Sequence, residues 1–150
     1  MSISRWLAGG AVLVALITAL TIALWPQSEA DKARADGENL GSAVAQLRDA
    51  ETTDDVHDAL DDLGDAVHDT RSHASDAVYE QAQSQGDAVY HAVNGFIGTV
   101  SAEDDWDQEL YEEELDQAVE DLSANAEELR TNAPEVEAAY WEGVQDGLSS

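Results

Sequence analysis

Residues 54–90 read DDVHDALDDLGDAVHDTRSHASDAVYEQAQSQGDAVY, and the fold follows from how this stretch repeats. Asp54-Asp55-Val56-His57, Asp65-Ala66-Val67-His68, Asp76-Ala77-Val78-Tyr79 and Asp87-Ala88-Val89-Tyr90 begin 11 residues apart, and Val100 continues the valine series. Within a unit the apolar residues step by four, three and four: Val56, Leu60, Leu63, Val67, and later Val89, Val93, Phe96, Val100. That spacing keeps them on one helical face. Eleven residues over three turns is about 3.67 per turn, the period of a nearly straight or slightly right-handed supercoil.

The pattern therefore predicts one long helix from Thr53 to the breakers Asn94-Gly95 and Gly98. Its seam is Val56, Leu60, Leu63, Val67, Val78, Val89, Val93, Phe96 and Val100. The Asp that opens each unit stands two residues before the Val and points away, into solvent. The third unit is weak, with Val78, Ala82 and Gln85 along the stripe, and Arg71 fills an apolar slot of the second. Helices that lie on lipid with this repeat usually flank the stripe with Lys and Arg. Here the flanks are acidic or neutral, so the seam is expected to meet another helix, in a second copy or in a partner.

Upstream, Leu7 to Leu24 reads LAGGAVLVALITALTIAL, 18 residues without a charge. At 1.5 Å per residue it spans about 27 Å, near the hydrocarbon thickness of a bilayer. Arg5 and Trp6 precede it and Trp25 follows, as interfacial residues do, and Pro26 ends the helix. Residues 1–25 are read as a single transmembrane anchor, with the C-terminal part outside the cell. A signal peptide cleaved at Ser28-Glu29-Ala30, releasing a secreted protein, is the rival reading, but an h-region normally runs only about 7–15 residues. Ala11, Ala15, Ala19 and Ala23 recur every four residues, a spacing that allows close approach of two membrane helices.

Two further pieces complete the domain plan. Residues 26–52 form a polar, Ala-rich juxtamembrane helix with Leu40, Val44 and Leu47 on one side, weakened by Gly37 and Gly41. Residues 53–150 form an acidic helical domain. Thr52-Thr53-Asp54-Asp55 starts the repeat helix, and Ser101-Ala102-Glu103-Asp104 resembles a capping box. Beyond it Leu115, Val119, Leu122, Ala126 and Leu129 keep a helical rhythm. Asn132-Ala133-Pro134-Glu135 reads as the cap and early Pro of a last helix carrying Val136, Tyr140 and Val144. No run alternates with period two. The expected fold is all-α: a transmembrane helix, then an antiparallel helical hairpin or small bundle built on the long repeat helix.

The chain holds 33 Asp or Glu against 6 Lys or Arg, a formal charge of −27, and no cysteine. Disulfides and thiolate sites are thereby excluded. Nucleic acid is not an expected partner, because phosphate contacts need clustered basic residues. Leu, Ile, Val and Phe make up only 21 of the 125 residues from Pro26 onward, which with this charge normally predicts disorder. The helical patterning argues otherwise if salt screens the repulsion; at 1 M the Debye length is about 3 Å. One Lys among so many Asp and Ala resembles the proteins of extreme halophiles, halophilic archaea and their viruses in particular.

No reaction is legible. Asp69 and His73, and Asp87 and His91, are four apart, but no His pair or cysteine joins them to complete a zinc site. His57 and His68 fill the repeat slot of Tyr79 and Tyr90 and read as amphipathic covers of the seam edge. Asp105-Trp106-Asp107-Gln108-Glu109 opens like a calcium loop but has Leu110 where glycine is needed. There is no Gly-x-Ser-x-Gly elbow and no phosphate-cradling loop. No catalytic residue, metal or cofactor is assigned. The expectation is a non-enzymatic, single-pass structural or interaction protein of a halophile's envelope or virion membrane, with a homo-oligomer or a membrane protein as partner. The alternatives are an accessory or ligand-binding subunit of a membrane complex, and the secreted form.

Overall fold

A computed structural model describes residues 28–98 and 106–150. The anchor with Arg5, Trp6 and Trp25, together with Val100 and the Ser101 capping box, lies outside the described residues. Within them the protein is all-helical: α1 (Glu29–Arg48), α2 (Thr53–His73), α3 (Asp76–Ile97), α4 (Gln108–Asn132) and α5 (Glu135–Leu148). None of these helices is long and apolar enough to cross a membrane.

The local starts follow from side-chain chemistry. Ser28 caps α1 by accepting from the Asp31 N–H, while Asp31 accepts from the Ser28 N–H, which together form a full capping box. Thr52 caps α2, as its sequence predicts. Asp107, from the rejected calcium loop, caps α4 by accepting from the Leu110 N–H. α3 ends at Ile97 with Gly98 as C-cap, where the breakers predict.

The repeat is not one helix. It breaks at Ala74-Ser75, both in extended conformation, where Ser75 accepts from the Val78 N–H and starts α3. Periodicity runs through the break because neither Gly nor Pro marks it, and because α2 and α3 turn their stripes toward the same core. Val67 and Val78, neighbours in the repeat, sit on different helices. A second correction concerns α5. Its first residue follows Pro134, which makes no side-chain cap, while Asn132 belongs to the end of α4 and donates to the Glu128 carbonyl.

Successive helices alternate in direction and each packs on the next, while α1 also packs on α5, closing a ring. His73, the last residue of α2, meets Asp36 in the first half of α1, and Phe96 near the end of α3 meets Tyr111 near the start of α4. With an odd number of alternating helices, the first and last must run parallel. They do: Gly37 lies against Tyr140, and Gly41, one turn on, against Val144. The core is a column of Leu40, Val44, Leu47, Val56, Leu63, Val89, Leu115, Leu122, Tyr140, Trp141 and Val144. α1 is thus part of this core rather than a separate juxtamembrane element.

Candidate functional site

The seam residues predicted to meet a partner are turned inward. Val56, Leu63, Val78, Val89, Val93 and Phe96 are buried in the core, and Leu60 and Val67 are half-buried at its edge. The contact expected between molecules is made within one, because a chain with so few large apolar side chains must spend them on its own folding. Val100 lies outside the described residues.

The tightest contact in the molecule is between α1 and α5. A Cβ added to Gly37 would stand 1.9 Å from the Tyr140 carbonyl oxygen, and one on Gly41 2.2 Å from that of Val144. The reverse holds for Gly143 against Arg34, at 2.0 Å, and Gly147 against Glu38, at 2.3 Å. Gly37-x-x-x-Gly41 and Gly143-x-x-x-Gly147 therefore interlock backbone to backbone, the arrangement that Gly-x-x-x-Gly permits wherever two helices cross closely. Arg34 spans the join, with its guanidinium 2.6 Å from Asp146 and 3.6 Å from Glu142, and the hydrogen bond it donates to Asp146 raises its pKa further. At the far end Arg48 donates to the Leu148 carbonyl. Sequence reasoning counted Gly37 and Gly41 against α1; the signal it missed was the same pentapeptide pattern recurring near the C-terminus.

A polar cluster joins α1, α2 and α5. Asp36, only 8% exposed, accepts from His73 Nδ1 at 3.0 Å. Burial pushes the Asp36 carboxyl up, against the pull of His73. Next to it Thr70 donates to the Ala66 carbonyl, so its oxygen accepts from the buried Tyr140 hydroxyl at 3.0 Å. Burial also raises the Tyr140 pKa. Every buried side-chain polar atom among the described residues has a partner. His73 thus pairs with Asp36 rather than with Asp69, its neighbour four residues back. None of these residues was singled out together, because their sequence separations carry no spacing signal.

Beside this cluster a cleft of about 550 Å³ opens where α1 begins and the α2–α3 and α4–α5 turns meet. Ala33, Val78, Pro134 and Val136 form its apolar walls, with Glu29, His73 and Glu137 at the mouth. Ser75, close by, donates its hydroxyl to Glu137 at 2.8 Å and caps α3 at the same time. That hydroxyl is committed to tying two turns together. Among the described residues no three His, Asp or Glu side chains converge as a metal site. Comparison with known proteins finds no matching family model, no similar curated protein and no similar solved structure.

Proposed function

We propose that this chain is a non-enzymatic, membrane-tethered structural or interaction protein of a high-salt habitat. It displays an acidic five-helix bundle outside a cell envelope or virion membrane. The observation that carries the reading is the start of α1. Its cap, Ser28, comes two residues after Pro26, so the bundle's first helix begins directly where the apolar segment ends. Cleavage after Ala30 would remove Ser28 and with it both hydrogen bonds of the capping box. Losing such a cap costs about 1 kcal/mol. Retention of the segment keeps the cap, and the α1–α5 clasp then ties the tether to the C-terminal helix. The dense surface carboxylates support a habitat in which salt mutes their repulsion.

Membrane fractionation of the full chain, with N-terminal sequencing of the mature protein, tests this. The expected result is an intact N-terminus that stays with the membrane after an alkaline wash. A soluble protein beginning at Asp31 would refute it. The cleft near His73 supports a second reading, a ligand-binding subunit, since small-molecule sites typically enclose about 300–1,000 Å³. A small molecule retained through purification from native membranes would favour that reading.

A further inference from the structure

We infer that the cleft beside His73 takes an organic primary ammonium, an apolar body carrying a charged –NH3+ group, with Glu137 as its anchor. The assignment rests on the second reading above, whose ligand it gives a chemical class, and it is independent of the tether.

Glu137 is the fixed point. It stands half-buried in the first turn of α5, where its Oε1 accepts from the Ser75 hydroxyl at 2.8 Å. Ser75 is itself held as the cap of α3, so the carboxylate is braced from two helices. Its Oε2 has no partner among the described residues. The other polar side chains of the cleft spend their donors within the fold: Ser75 on Glu137, His73 Nδ1 on Asp36 and the Tyr140 hydroxyl on Thr70. What the side chains offer a ligand is acceptors.

The sign of the charge agrees. Three helices, α1, α3 and α5, begin around this cleft, and each start contributes about half a positive charge. Their first turns hold Glu29, Asp31, Asp76, Glu135 and Glu137. Those five carboxylates outweigh the helix starts even with nearby Lys32 and Arg71 counted in full. Arg34 and Arg130 have carboxylates of their own, Asp146 and Glu127. An anion is repelled here and a cation drawn in.

The walls decide which cation. Ala33, Val78, Pro134 and Val136 give an inorganic ion nothing to coordinate, and no three carboxylates or histidines converge on one point among the described residues. In molar salt a bare K+ gains nothing here over the bulk solution. An apolar body gains burial, which screening by salt leaves intact. A volume of about 550 Å³ suits a small molecule. A carboxylate oxygen with a free lone pair calls for an N–H donor, which a primary ammonium has and a quaternary one lacks. Quaternary ions favour cages of aromatic faces; this cleft has one ring, Tyr140, fully buried.

The test is calorimetric titration of the full chain in detergent, at neutral pH in 1 M KCl, with n-hexylammonium, hexan-1-ol and hexanoate. The three share one apolar chain and differ in charge. Hexylammonium should bind one to one and at least tenfold more tightly than hexanol, with hexanoate weaker still. Glu137→Gln keeps an oxygen for Ser75 and loses only the charge, so it should bring hexylammonium down to the affinity of hexanol. An unchanged hexanol affinity shows that the variant's cleft is intact. Glu113→Gln, on the outer side of α4, should change nothing. Hexylammonium no tighter than hexanol, indifference to Glu137→Gln, or an equal loss from Glu113→Gln overturns the assignment. Hexanol binding without preference for the ammonium leaves a ligand cleft and removes its class, while no binding of any probe removes both. Neither result bears on the tether, which N-terminal sequencing decides.

Discussion

Gly143→Ala puts the structure to its sharpest trial, because one methyl group should act oppositely here and at Gly64. At Gly143 the new Cβ would lie 2.0 Å from the Arg34 carbonyl oxygen and 2.9 Å from the Glu38 nitrogen. Both obstacles are helix backbone and cannot rotate aside. Bringing the first contact to an ordinary 3.4 Å requires α1 and α5 to separate by about 1.4 Å. A radial gap of even 0.5–1 Å forfeits roughly a quarter to a half of a packed contact's dispersion energy, and this pair also packs Val144 and Leu148 around the crossing. Overpacking costs about 1–3 kcal/mol and sometimes more; with backbone on both sides the upper end applies, about 3 kcal/mol. Alanine returns about 1 kcal/mol of helix propensity, leaving a net loss of about 2 kcal/mol. In a domain of this size that lowers Tm by about 6–10 °C. At Gly64 only the propensity gain operates, and Tm should rise by about 3–5 °C. Thermal unfolding followed by circular dichroism in concentrated KCl measures both. Equal shifts of the same sign at the two sites would refute the backbone clasp.

Lowering salt to around 0.1 M lengthens the Debye length to about 10 Å, and the bundle should lose helix; constant ellipticity at 222 nm from 3 M to 0.1 M KCl would remove the case for a high-salt habitat. Asp36 has its carboxyl raised by burial, so the unfolded chain ionises there first and the folded state loses stability as pH climbs through the acid range. Asp36→Asn removes that penalty. Wild-type Tm should therefore improve relative to the variant on acidification from pH 6 to 3, and a difference independent of pH contradicts it. The Tyr111 hydroxyl is raised to about 12 by burial and donates to the Leu47 carbonyl at the end of α1. Its contribution is complete below pH 10 and fades as pH rises through 12; Tyr111→Phe should cost about 0.5–1.5 kcal/mol at neutral pH by removing that hydrogen bond, since the Ala50 N–H still donates to the carbonyl, read as a shift in unfolding midpoint.

The sequence by itself determined that the chain is helical, which residues form the inner stripes, and where α2 starts and α3 ends. Those properties are local or periodic. Thr52 caps whatever follows it, and Val56, Leu63 and Val89 share a face because of 3.6-residue geometry, whatever that face meets. What the stripes meet was decided by tertiary structure. A four-and-three rhythm is the same for a seam that joins two molecules and for one that lines the inside of a ring. Only the break at Ala74-Ser75, set by one side-chain cap, and the closure of α1 on α5 turn it inward. Closure in turn rests on four glycines that sequence propensity counts as helix defects. Their value lies in the missing Cβ, which matters only once another backbone is there to occupy the space.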